Sequence, residues 1–146
     1  MDVKRASKTP THYLLDTNTV AYIVNGRSPL ARRTLLEQSK HSVITASVIT
    51  EAEILYGLAR KPQAIRLRAA VEALFSTINV LPWNSEAARA YATLRANLST
   101  AGKSLANMDM LIAAHAIATC AILVTSDKAF THISALHPTL NWATDI

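Results

Sequence analysis

Short, continuously apolar runs punctuate this chain, and between them apolar residues recur every three or four positions. The runs are Tyr13-Leu14-Leu15, Ser42-Val43-Ile44-Thr45, Ile78-Asn79-Val80-Leu81 and Ile122-Leu123-Val124-Thr125. They read as strands buried on both faces rather than strands with one wet side. The intervening segments predict helices. One follows Asp16 and ends near Asn25-Gly26. The next starts at Ser28-Pro29, with Ser28 as cap and Pro29 in the first turn. Others run from Ser47 to about Arg60, over Gln63–Phe75, from Asn84 or Ser85 to about Thr100, and over Asn107–Thr119. Leu140–Ala143 reads as a last short strand. Residues 1–11 read as a polar tail and 12–146 as a single domain. Strands alternating with helices imply an α/β fold, a mostly parallel sheet covered on both faces.

Composition narrows the function classes. A chain of 146 residues suits one domain, and half of it is apolar. Fifteen basic residues against ten acidic ones give +5, which permits an anionic partner such as nucleic acid. A lone cysteine, Cys120, excludes an intramolecular disulfide framework and a multi-cysteine zinc site. Lying in an apolar run, it is expected to be buried. The start MDVKRASKTPTH has no apolar stretch of signal-peptide type. Met110–Val124 is too short for a membrane span and is interrupted by His115 and Thr119. A soluble, cytoplasmic protein without a membrane partner is expected.

Three acids stand apart from the other seven. Asp16 directly follows the first strand, and Asp127 comes two residues after the Ile122–Thr125 strand. Strand carboxyl ends are where open parallel sheets place ligands. Asp109 shares a helix face with Ile112, Ala113 and Ala116, which puts it at the rim of the core. Each has an ordinary alternative. Asp16 and Asp127 could cap helices, and Asp109 could complement a helix dipole. Should the three converge, like charges would raise one another's pKa unless a cation neutralised them. Oxygen-only ligands suit Mg²⁺ or Mn²⁺, which can activate water and stabilise charge on a phosphoryl group. On the helix after Ser47, Glu51 falls at the edge of the Leu55/Leu58 stripe. Glu53 falls on the more polar side with Thr50, Gly57 and Arg60. Periodicity does not choose between the two acids.

Four segments together resemble the PIN-domain family, specifically VapC-type toxins of bacterial toxin–antitoxin pairs. They are LLDTNTVAYIVNG (Leu14–Gly26), SVITEAEILYGLAR (Ser47–Arg60), NMDMLIAAHAI (Asn107–Ile117) and ILVTSDKAF (Ile122–Phe130). The resemblance spans about Tyr13 to Trp142 and implies a three-layer α/β/α sandwich. It matches the family's acids to Asp16, Glu53 (not Glu51), Asp109 and Asp127. The implied activity is Mg²⁺- or Mn²⁺-dependent endonucleolytic cleavage of RNA, leaving 5′-phosphate and 3′-hydroxyl ends. Asp16 and Asp109 would be the main metal ligands, and Asp127 would bind directly or through water. Glu53 would orient or deprotonate the attacking water. Asn18, Thr125 and Ser126 would orient the acids or a bound water. The implied partners are an RNA substrate, with transfer RNA among the candidates, a VapB-type antitoxin whose tail would occupy the site, and a second copy in a homodimer. The tail before the first strand departs from related chains.

Phosphate contacts could come from Arg27, Arg60, Lys61, Arg66, Arg68 and Lys103, although a solvated surface charge is the expected role of each. Tyr22, Tyr56 and Trp83 are candidates for base stacking, with core packing the expected role. His115 reads as a buried, hydrogen-bonded or interface residue. His12, His41, His132 and His137 lack metal-site spacing. Two other readings remain. Leu14–Val20 also resembles the start of haloacid-dehalogenase-like phosphohydrolases, with Asp16 as nucleophile, although Asn18 stands where a second acid is expected. The chain could also be a non-catalytic PIN-fold binding module.

Overall fold

The computed structural model describes residues 9–136 and 138–146. The polar tail expected over 1–11 lies mostly outside the described residues, and so does His137. The elements follow the order β1 (His12–Leu15), α1 (Thr17–Val24), α2 (Pro29–Gln38), β2 (Val43–Ser47), α3 (Val48–Ala59), α4 (Ile65–Thr77), β3 (Asn79–Leu81), α5 (Ser85–Thr100), α6 (Asn107–Thr119) and β4 (Ile122–Val124). Two 3₁₀ turns, Lys128–His132 and Ser134–Leu136, follow β4. The patterning does not anticipate them, because such short turns carry no helical period.

The sheet has the order β3-β2-β1-β4, and every pairing is parallel. Six helices flank it. Burial explains why its strands read as apolar runs. Tyr13 and Leu15 enter one core with Val20, Ile23, Leu35, Leu74 and Trp142. Leu14 enters the other, with Leu94, Leu98, Ile112, Leu123 and Phe130. Successive strand residues point to opposite faces, so a strand covered on both sides must be apolar throughout. Tyr13 and Trp142 close the first core edge to face, with ring centroids 5.1 Å apart.

The expected caps form. Ser28 accepts from Ala31 N, Ser47 from Ile49 N and Asn84 from Ala87 N. The expected Leu140–Ala143 strand reduces to one parallel bridge, Leu140 to Val124. There Thr125 N donates to Leu140 O and Leu140 N donates to Leu123 O, so β4 gains a partner without a fifth strand.

Cys120 is a correction. It is exposed and ends α6 in the left-handed region, at φ 56°. Apolar neighbours suggested burial, but the chain must reverse there between α6 and β4, and the residue at such a cap faces outward.

Among the described residues no helix is long and apolar enough to cross a membrane.

His115 is the core's polar exception, at 2% exposure. Its Nδ1 has no hydrogen-bond partner, and its ring bonds the Pro82 backbone. Burial, then the neighbouring His12, holds it below the ordinary imidazole range, and burial lowers His12 as well. Folded imidazoles with lowered pKa bind fewer protons than unfolded ones just below the ordinary value of about 6.5. Stability contributed there is therefore lost as pH falls through that window. The urea midpoint should drop between pH 7.5 and 5.5, and His115→Gln should flatten the drop; a level wild-type profile would contradict this. Cys120→Gly, which relieves the left-handed strain, should raise unfolding free energy by about 0.5–1 kcal/mol in the same assay.

Candidate functional site

The strand order reverses direction between β1 and β4. β2 and β3 lie on one side of β1, and β4 lies on the other. Ligands in open parallel sheets bind outside the strand carboxyl ends at such a point. Asp16 follows β1 and Asp127 follows β4, so both acids fall there.

Asp16 is 4% exposed. Its amide donates to Val124 O at 3.0 Å, and its Oδ1 accepts from Thr19 N at 2.8 Å, capping α1. The Thr125 hydroxyl bonds the same carboxylate. Thr125 Oγ1 also accepts from Asp127 N at 3.0 Å. Asp127 caps the first 3₁₀ turn, its Oδ1 accepting from Ala129 N at 2.9 Å. Both acids are thus helix caps, as the ordinary alternative held, and both also face the junction of β1 and β4.

Asp109 enters from the first turn of α6 and is half-buried. Burial, followed by the charges of Asp127, Glu53 and Asp16, holds its carboxyl above the ordinary carboxylate range. Burial also raises Asp16, against its hydrogen bonds to Thr125 and Thr19, and the charge of Asp127 adds to the rise. The structure therefore brings Asp16, Glu53, Asp109 and Asp127 into one electrostatic neighbourhood.

Glu53 reaches the site through α1. Thr17 Oγ1 donates to its Oε1 at 2.5 Å and lies 3.1 Å from Thr50 Oγ1. Thr50 is fully buried, whereas Leu55 is 51% exposed. Thr50 and Glu53, on the side of α3 that looks polar in sequence, meet Thr17 of α1, whereas Gly57 and Arg60 stay exposed. Thr17 and Thr50 are absent from the sequence-based candidates. Their signal was a hydroxyl directly after the strand-ending acid and another one turn before Glu53. Asn18 is exposed, and no hydrogen bond joins it or Ser126 to the acids among the described residues. Of the three expected orienting residues, only Thr125 makes such a bond.

The donor set suits a hard divalent cation: four carboxylates, hydroxyl neighbours and no sulfur or imidazole. The ion pairs among the described residues lie elsewhere, at Glu37 with Lys40 and His41, so none of the four acids is ion-paired among those residues. As they stand, no three of the described His, Cys, Asp or Glu residues close around a point that could hold a metal.

The candidate RNA contacts separate by position. Arg60 and Lys61 line a cavity of about 530 Å³ with Thr17, Glu53 and Asn25. Arg27 stacks on Tyr22, and Arg60 stacks on Tyr56, with centroid distances of 5.3 and 5.7 Å. Tyr56 is 65% exposed, which corrects its expected core role. Trp83 is half-buried and donates to Leu111 O at 3.0 Å.

The PIN domain family model matches residues 13–136. Ribonuclease VapC2 of Haemophilus influenzae is 34% identical over 89% of this chain and 97% of that protein. Ribonuclease VapC2 of Rickettsia felis is 31% identical, over 85% and 93%. The tRNA(fMet)-specific endonuclease VapC of Shigella flexneri is 29% identical, over 90% and 98%. Among solved structures, VapBC2 of Rickettsia felis bound to a promoter DNA fragment superposes with a TM-score of 0.83 at 29% identity, covering 90% of this chain and 98% of that one. DNA-bound VapBC of Salmonella typhimurium gives 0.82 at 26% identity, with the same coverage. These similarities give the dehalogenase-like reading of Leu14–Val20 no support.

Raised carboxylate pKa values carry a definite sign. The folded chain holds those protons more tightly than the unfolded one, so metal-free stability falls as pH rises through the shifted values. Asp109→Asn removes the repulsion and should raise the metal-free melting temperature by about 2–5 °C, as roughly 1 kcal/mol does in a domain of this size. The loss of a first-turn dipole partner opposes this by about 0.3–1 kcal/mol. Millimolar Mg²⁺ should raise the melting temperature of the wild type and raise that of the variant less. A variant that melts lower without metal, yet gains as much from Mg²⁺, would show that the acids are not a crowded cation site.

Proposed function

The chain belongs to the PIN-domain family, on its VapC ribonuclease branch, and on that footing we propose that it is the endoribonuclease toxin of a toxin–antitoxin pair, cutting RNA with Mg²⁺ or Mn²⁺ at Asp16, Glu53, Asp109 and Asp127. The observation that supports this reading is that the charges of Asp16, Glu53 and Asp127 all act on Asp109, with Asp16 and Asp127 just after β1 and β4 and none of the four ion-paired among the described residues.

Asp16 and Asp109 would hold the ion, with Asp127 bound directly or through water. When bound, such an ion lowers the pKa of water and stabilises charge developing on a phosphoryl group. The protein supplies position and proton transfer. Asp16 cannot swing away, because Thr19 N and the Thr125 hydroxyl both hold its carboxylate. Glu53 is fixed through Oε1 by Thr17, which leaves Oε2 to accept a proton from the attacking water. As that oxygen bonds to phosphorus, the bond from phosphorus to the 3′ oxygen breaks in line and the departing oxygen takes a proton from solvent water, giving a 5′-phosphate and a 3′-hydroxyl end.

A VapB-type antitoxin fits this reading, since the solved neighbours are VapBC assemblies. So do a second copy of the chain as homodimer partner and the cytoplasm as its place of action. The relative named for tRNA(fMet) supports transfer RNA as a substrate class.

Antitoxin-free protein incubated with total RNA should yield discrete new 5′-phosphate ends that disappear with EDTA. Asp16→Asn or Asp109→Asn should slow cleavage at least about 100-fold and relieve growth arrest on induced expression. RNA bound but recovered intact, with or without metal, would instead identify a non-catalytic binding module.

A further inference from the structure

A groove lies between α5 and the stretch after β4. One part, about 670 Å³, is lined by residues including Arg89, Leu94, Leu98, Lys103, His132 and Ile133. A second part, about 260 Å³, shares Leu98, Lys103, His132 and Ile133 and continues to Leu105 and Ala129. The two form one depression.

Its inner end reaches the acidic site, because the Ala129 amide is the one that Asp127 Oδ1 accepts from. Leu105 lies just ahead of α6, which carries Asp109 in its first turn. The outer end is marked by Arg89, and the α5 segment from there to Thr100 covers about 17 Å at 1.5 Å per residue.

The chemistry of this groove is the reverse of the site it leads from. Its walls carry Arg89, Lys103 and His132 and no carboxylate. Among the described residues neither Arg89 nor Lys103 has an acidic partner. The floor is aliphatic, from Leu94, Leu98, Ile117 and Ile133, and Asn97 and Ser134 add hydrogen-bonding groups. Cations beside an apolar floor match a strand whose phosphates are charged and whose base faces are not.

We propose that this groove holds the single-stranded RNA flanking the cut, with Arg89 and Lys103 on its phosphates; the proposal rests on the RNA-cleaving reading above. The acidic site repels the phosphodiester it must hold, and a run of unpaired cations leading from it offsets that repulsion. An acidic peptide presents no base face for the apolar floor. A phosphodiester strand is the occupant that both halves of the surface serve.

The test replaces Arg89 and Lys103 by Gln, singly and together. Lys40→Gln serves as the charge control, since Lys40 is exposed and paired with Glu37 on the far side of the fold's chemistry. In cleavage assays the double variant should raise KM about 10-fold with kcat within about twofold. Anisotropy of labelled single-stranded RNA in EDTA should show a matching affinity loss, and the log–log salt slope should shrink by about 1.4, as expected for two lost phosphate contacts. Affinity and slope equal to those of Lys40→Gln would overturn the proposal. A wild-type dimer that dissociates in the double variant would also overturn it, assigning the groove to a second copy. Absence of cleavage by the wild type would sink the nuclease reading instead, and the metal-free anisotropy would still decide whether the groove binds RNA.

Discussion

A carboxylate at 4% exposure, placed where the central strand ends, constrains this whole structure. Burying an unpaired charge is expensive, and here the compensation comes from two different elements. The amide of Thr19 belongs to α1, and the Thr125 hydroxyl comes just after β4. The first is local to the cap of α1, but the second reaches Asp16 only because β4 lies beside β1, where the Asp16 amide also bonds Val124 O. The crossover that carries the chain from β3 back past β1 to β4 therefore does more than close the sheet. It delivers the Thr125 hydroxyl, one of the groups that make a buried acid tolerable, and sets Asp127 next to it. What those bonds leave uncompensated is the like charge of the neighbours, a cost in stability of the kind that functional sites commonly retain.

Much of the fold was legible because burial on both faces gives the strands an unmistakable composition, and because Ser28, Ser47 and Asn84 are caps with a local mechanism. The failures share a cause. Cys120 and Tyr56 were misjudged from nearest neighbours in sequence, the choice between Glu51 and Glu53 was left open, and tertiary geometry decided each. Cys120 faces out because the chain reverses at that residue. Tyr56 lies exposed under Arg60 because α3 turns its other side inward. That inward side carries Thr50 and Leu58 beside Glu53, so the apolar stripe is split, with Leu58 buried and Leu55 turned to solvent. Glu53 was reached through family resemblance rather than periodicity. Thr17, which holds it, needed the distance between two helices to be known. The 3₁₀ turns after β4 were invisible for a simpler reason, being too short to show a period.

Capping and ligand binding look like rival explanations for an acid beside a helix start, yet the geometry shows that they are compatible. A carboxylate has two oxygens and about four acceptor positions, and a cap occupies one. Asp16 and Asp127 each commit Oδ1 to a backbone amide. Those bonds fix direction and leave acceptor capacity facing the junction of β1 and β4. Glu53 is restrained in the same way by a hydroxyl. Among the described residues no hydrogen bond holds the Asp109 carboxylate, and its neighbours' charges act on it most fully. The site thus combines three anchored acids with one that is free to adjust. A hard cation with strict demands on ligand geometry is better met by such a set than by four side chains locked in advance, since one mobile ligand can absorb small errors in the placement of the others.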